Sequence, residues 1–178
     1  EMADGIVAKG DERDAIQVLA NGGVFAIGAL AFVAGPAVAW QAVGAGALAA
    51  AASDTWSTEI GMLSPRPPIS IVTFRHLPAG TSGGVTLLGL FGAVLGAAFI
   101  EMVALLLRWP QTVAVATLAG GIAGSLADSL AGALLQQRRW CDRCGTPTER
   151  VVHSCGAKTR ISGGLPFLDN DGVNLVCT

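Results

Sequence analysis

Four stretches of the chain, 16–35, 36–52, 85–107 and 112–135, are each about the 17 to 25 residues needed to cross a hydrocarbon core. Between them they hold only two charged side chains, Glu101 and Asp128. A backbone passing through lipid has to satisfy its own amides and carbonyls, so such stretches fold as helices or as a closed barrel. The 24 glycines and the many alanines favour closely packed helices over a barrel. The rest of the composition agrees: charged residues make up 13% of the 178, apolar residues 52%, and mean hydropathy is +0.57. A water-exposed domain needs about 25% charged residues, which excludes a soluble globular protein and a disordered chain alike. A net charge of −2 gives no electrostatic case for nucleic acid.

The expected fold is therefore an all-α integral membrane protein. It has a helical bundle in residues 1–140 with helices near the four stretches, a long cytoplasmic loop 53–84 taken as catalytic, a small cytoplasmic Cys/His hairpin at 141–168, and the start of a further helix, read as truncated, at 169–178. The second stretch, PAVAWQAVGAGALAAAA, is small-residue-rich and weakly lipophilic, which predicts a place inside the bundle. The polar, mostly acidic first fifteen residues do not read as a secretory signal peptide. A start without an initiator and an end in LPFLDNDGVNLVCT suggest a piece of a longer protein. With four spans, the amino end, the long loop and the carboxyl segment share one side and hold ten of the eleven Lys and Arg residues, leaving Arg108 opposite. The positive-inside rule places that side in the cytoplasm.

Chemistry gathers at the same end. Asp54 and Glu59, among the hydroxyls of SDTWSTE, are oxygen ligands of the kind that suits Mg²⁺, although Ser and Asp also open helices as ordinary caps. Asp128 recurs with Gly121, Gly124, Ser125 and Gly132 on one narrow helical face, where an intramembrane carboxylate marks function or a packing hydrogen bond. Arg13, Gln17 and Asn21 follow at spacings of four near the cytoplasmic end of the first helix. Glu101 falls toward the outer half and is set apart from this cluster. The run Gly80, Thr81, Ser82, Gly83, Gly84 leads into the third helix, so it could present backbone N–H groups and a helix N-terminus to phosphate, with Arg75 and His76 adding charge. It lacks the lysine of a Walker motif, and a plain turn is the simpler reading. Cys141 and Cys144 in CDRC, with His153 and Cys155 in HSC, fit a structural Zn²⁺ site or reduced free thiols; Cys177 stands apart as apolar filler.

Taken in order, DERDAIQVLANGG, SDTWSTEIG, PAGTSGGVTLLG, GSLADSLAG, CDRCG…HSCG and LDNDGVNL resemble one integral membrane family over nearly the whole chain. It is the family, also called domain of unknown function ninety-two, that includes plant phytyl phosphate kinase and animal transmembrane protein nineteen. The resemblance implies transfer of a phosphoryl group from a nucleoside triphosphate to an isoprenoid monophosphate. More distantly, an acidic helix end followed by a KTxEG-like loop is similar to CTP-using polyprenol kinases and CDP-diacylglycerol synthases, which favours CTP, although the match is partial because the loop here is GTSGG without their lysine. Under this reading Asp54, Glu59 and Asp128 hold Mg²⁺, Gly80 to Gly84 cradle the nucleotide phosphates, Arg13 and Arg75 meet the transferred or acceptor phosphate, and Asn21 and Gln17 orient the lipid phosphate. The same residues would serve a CTP-dependent cytidylyltransferase, and a transporter or lipid-binding protein is the non-enzymatic alternative. The membrane, the nucleotide, the lipid and a homo-oligomer are the expected partners.

Overall fold

The computed structural model describes residues 15–178. Helix α1 (Ala15–Ala34) turns at Pro36 into α2 (Val38–Met62), because proline disfavours helical backbone in the residue before it. A long connection carries two short antiparallel strands, β1 (Ile69–Ser70) and β2 (Gly84–Val85), and delivers the chain into α3 (Leu87–Leu106). A tight turn in which Arg108 adopts φ 58° leads to α4 (Gln111–Leu134). Strands β3 (Arg138–Cys141), β4 (Thr146–Thr148) and β5 (Arg160–Gly163) then form an antiparallel sheet in the order β4-β3-β5, and α5 (Asn170–Cys177) follows.

Helices α1, α3 and α4 are each long and apolar enough to cross a membrane. The longest, α2, lies against all three and buries Gly44, Ala45, Ala47, Ala49, Ala50, Ala51 and Ser53. Small side chains permit that central place because lipid supplies little hydrophobic drive and close van der Waals contact has to hold the helices. The chain is mostly helical, but the expectation of an all-α protein needs correcting. The loop and the tail leave the hydrocarbon, where short strands can pair with one another and with water.

The largest departure from expectation is the length of α2, which runs ten residues past position 52, so that SDTWSTEIG is helix and not loop. Ser, Asp and Thr favour caps and turns when judged alone. Here α3 decides the outcome. A Cβ placed on Gly96 would lie 2.7 Å from the Ala52 carbonyl oxygen, on Gly92 2.5 Å from that of Trp56, and on Gly89 2.9 Å from that of Ser57. Two backbones this close leave residues 52–57 no room to be anything but helix, and buried Ser53 fastens the contact by donating its Oγ hydrogen to the Ala93 carbonyl at 2.9 Å. The Gly96→Leu variant is expected to wedge α2 from α3 and lose about 3 kcal/mol. Thermal unfolding in detergent checks this, and an unchanged Tm would mean that the contact does not support the bundle.

Candidate functional site

One helical face of α2 presents Asp54, Ser57, Thr58 and Gly61, spaced as successive turns require. Across from it α4 presents Asp128, Ser129 and Gly132, with Gln136 just beyond its end. The first residues of α3 and the loop 79–86 close the third side. Together they enclose a cavity of about 360 Å³, in the range of about 300 to 1,000 Å³ typical of ligand sites.

Asp54 and Asp128 come together across the α2–α4 contact, both lining the cavity and the crevice behind it. One buried oxygen of Asp128, Oδ1, has no hydrogen-bond partner. Two carboxylates held together in a membrane-spanning wall repel each other when both are ionised, so the pair calls for a bound cation or a shared proton. Behind the pair a narrow crevice is lined by Asn21 of α1 and by Asn174 and Cys177 of α5. The Asn21 amide donates to the Gln17 carbonyl at 3.0 Å.

The glycine loop fits against α4 through its backbone. Gly83 sits at φ 78°, and a Cβ there would overlap Ala133, so only glycine allows the loop to lie this low. The Thr81 and Gly84 amides are engaged within the loop, donating to Pro78 O and Thr81 O at 3.3 and 3.1 Å. Ser82 donates to the Glu149 carboxylate, tying the loop to the segment after β4. Thr86 caps α3 by accepting from the Gly89 amide at 2.9 Å, and the positive end of that helix faces the cavity.

The structure thus brings Asp54, Asp128, Gly80, Thr81, Ser82, Gly83 and Gly84 around one cavity. It does not bring Glu59 there. Five residues from Asp54 is about 140° around a helix, so Glu59 projects away from the cavity and is exposed. Arg75 and His76 are exposed in the long connection and do not line the cavity, and Arg13 lies outside the described residues. Gln17 reaches neither cavity nor crevice, and Asn21 approaches the carboxylates only from behind. Cys177 is part of that rear wall.

The cavity residues that sequence reasoning missed include Arg66, Gln136, Glu149 and Asn170. Among the described residues, Arg66 is the one Lys or Arg that lines the cavity. Each comes from a different segment, and no local spacing signals their convergence. Continuing the helix through SDTWSTEIG would have moved the emphasis from Glu59 to Ser57 and Thr58.

Away from the cavity, Cys141, Cys144, His153 and Cys155 converge, their ligand atoms all within 4.8 Å of one another. The hydrogen bond with His153 pulls the Cys155 thiol down to about 6, with a further contribution from the Ala157 backbone. Hydrogen bonding to Cys155 is the main cause that pushes Cys144 up to about 11.

Comparison with known proteins adds a lineage to this geometry. The profile of a family described as integral membrane protein DUF92 matches residues 2–178. An uncharacterized membrane protein, MJ0933, of Methanocaldococcus jannaschii is 40% identical over 127 residues, covering 71% of this chain and 52% of that protein. Protein PGR of Arabidopsis thaliana is 30% identical over 197 aligned residues, covering 94% of this chain and 66% of its own length. The chain therefore spans between about half and two thirds of the length of these relatives. No solved structure matches it.

Proposed function

The chain belongs to the integral membrane protein family DUF92, and from that premise we propose that it is a membrane phosphotransferase. In this reading it moves the γ-phosphoryl group of a nucleoside triphosphate, CTP foremost, to an isoprenoid monophosphate such as phytyl phosphate and gives the diphosphate. The observation that carries the proposal is the Asp54–Asp128 pair, with its unpartnered buried oxygen, in the wall of a ligand-sized cavity where the membrane helices end.

Two carboxylates beside the Ser57 and Thr58 hydroxyls form an oxygen donor set that suits Mg²⁺, so Asp54 and Asp128 would hold the ion. When bound, Mg²⁺ neutralises charge on phosphate oxygens. The protein's remaining groups bind and orient. The N-terminus of α3 and the loop 80–84 receive the donor phosphates, and Arg66, in place of Arg75 and Arg13, faces the transferred group. Asn21 supports the carboxylates from behind and so acts as a positioning residue. An ionised oxygen of the lipid phosphate attacks the γ phosphorus as the bond to the β,γ-bridging oxygen breaks, and the nucleoside diphosphate leaves with that electron pair. The nucleophile has no proton to lose, which suits a cavity whose lining, among the described residues, includes no histidine. Among the described residues, eight of the nine Lys and Arg residues belong to the segments at this end, with Arg108 in the opposite turn, which supports a cytoplasmic site.

The test is a liposome assay of the full-length protein with labelled CTP and ATP, Mg²⁺ and phytyl or geranylgeranyl monophosphate. Label from the γ position is expected in an organic-soluble diphosphate. Label from the α position retained on the lipid would replace the kinase with a cytidylyltransferase. Metal-independent binding of lipid phosphate without turnover would favour a transporter or lipid-binding protein. In the same assay Arg66→Ala is expected to lower kcat/KM about 100-fold, as loss of a transition-state charge contact does. Exposed Arg75, changed to Ala, should leave it within about twofold because water screens it from the cavity.

A further inference from the structure

We propose that Cys141, Cys144, His153 and Cys155 bind one Zn²⁺ ion, and that this ion clasps the segment carrying Glu149 against Ser82 of the cavity loop. The proposal rests on geometry independent of the reaction assigned to the cavity. A tetrahedral Zn²⁺ with bonds of about 2.3 Å to sulfur and about 2.0 Å to nitrogen requires ligand atoms about 3.5 to 3.8 Å apart. The Cys141 and Cys155 sulfurs stand 3.7 Å apart, His153 Nδ1 is 3.3 Å from the Cys155 sulfur, a few tenths of an ångström short of that spacing, and all four ligand atoms lie within 4.8 Å of one another. A disulfide needs sulfurs at about 2.05 Å, so the cysteines are arranged as ligands and not as a bridge.

The two ligand pairs arrive from two turns of similar build. Gly145 follows Cys144 at φ 63° and donates its amide to the Cys141 carbonyl at 2.8 Å. Gly156 follows Cys155 at φ 80° and donates to the His153 carbonyl at 2.8 Å. Each glycine reverses the chain directly after the second ligand of its pair, which folds that pair onto one point. Cys141 is wholly buried and His153 only 8% exposed, although the three-stranded sheet is far too small to hold a core of its own. A structural metal is the usual way for so small a unit to hold its shape.

The consequence reaches the cavity. Residues 141–155 form a strap whose two ends hold the four ligands, and Glu149 lies between them. With both ends fixed, the Glu149 carboxylate is held where it accepts the Ser82 hydroxyl hydrogen. A metal of no catalytic role thereby sets the height of a cavity wall.

The detergent-purified full chain, expressed with zinc available, is expected to contain about one zinc per chain by elemental analysis. Replacement by Co²⁺ should give thiolate-to-cobalt charge transfer and the strong visible bands of a tetrahedral site. Cys144 is exposed, so Cys144→Ser leaves the interior packing alone and should weaken zinc binding at least tenfold; Cys177→Ser should not change it. Chelation should speed tryptic cleavage after Arg150 and Lys158, and added zinc should restore protection. A zinc content below a tenth per chain together with no cobalt spectrum would overturn the site. One zinc per chain with cleavage indifferent to chelation would overturn the clasp.

Discussion

Asp128→Asn is expected to remove phosphoryl transfer, lowering kcat/KM about a thousandfold. The substitution keeps the shape of the side chain, so α4 should still pack and the variant should elute like the parent protein in detergent. It removes one of two charges that would hold Mg²⁺, and three factors of ten correspond to about 4 kcal/mol, the scale of charge stabilisation attributed to a bound metal. Asp54→Asn should do the same, and the double variant should be little worse than either, since groups that act as one unit lose their effect together. Glu59→Gln is the informative contrast: it lies in the same short motif but on the far face of α2, and activity within about twofold is expected because an exposed charge is well screened there. Labelled-CTP turnover across an Mg²⁺ titration measures all four. More than a tenth of the activity remaining in Asp128→Asn would remove the carboxylate pair from the centre of the mechanism.

Gly83→Val should also be severe, for a different reason. A left-handed backbone costs an L-residue about 1 to 2 kcal/mol, and the new Cβ would overlap Ala133 on α4. The loop has to lift. A displacement of about 1 Å at a substrate-positioning wall can lower the rate about 100-fold, which is the expected loss. Tm should fall by only a few degrees, the shift expected for about 1 to 2 kcal/mol of backbone strain, because the glycine lies outside the α2–α3 contact. The Ala133→Gly change made with it should recover part of the activity by relieving the overlap but not the backbone strain, and this double-variant cycle separates the two. Full activity in Gly83→Val alone would show that the low position of the loop is unimportant.

Much of this was legible in the sequence, and the reasons differ from element to element. α1, α3 and α4 announce themselves because lipid forbids charge along a span, a constraint that acts on every residue. Asp128 and its small neighbours are readable because a helical repeat fixes which side chains share a face. The end of α2 was not readable. Ser53 to Glu59 have local preferences for turns, and glycines more than 30 positions later overrule them. Misplacing that end by ten residues is what promoted Glu59 and left Ser57 and Thr58 as background. Arg66, Gln136, Glu149 and Asn170 were invisible for a simpler reason: they become neighbours only when separate segments fold over the same opening. Arg75 was favoured on nearness in sequence to the glycine run, yet the strand pair β1–β2 carries it elsewhere.

The short turns at 35–37 and 107–110 and the long segments lie at opposite ends of the helices, so every group lining the cavity lies toward one mouth. Traffic through such a site has a single direction of approach. A water-borne nucleotide and a membrane-anchored acceptor would enter from the same leaflet, and the product's headgroup would remain there. No phosphate would have to be dragged across the hydrocarbon, so turnover should be indifferent to membrane potential and to the composition of the far leaflet.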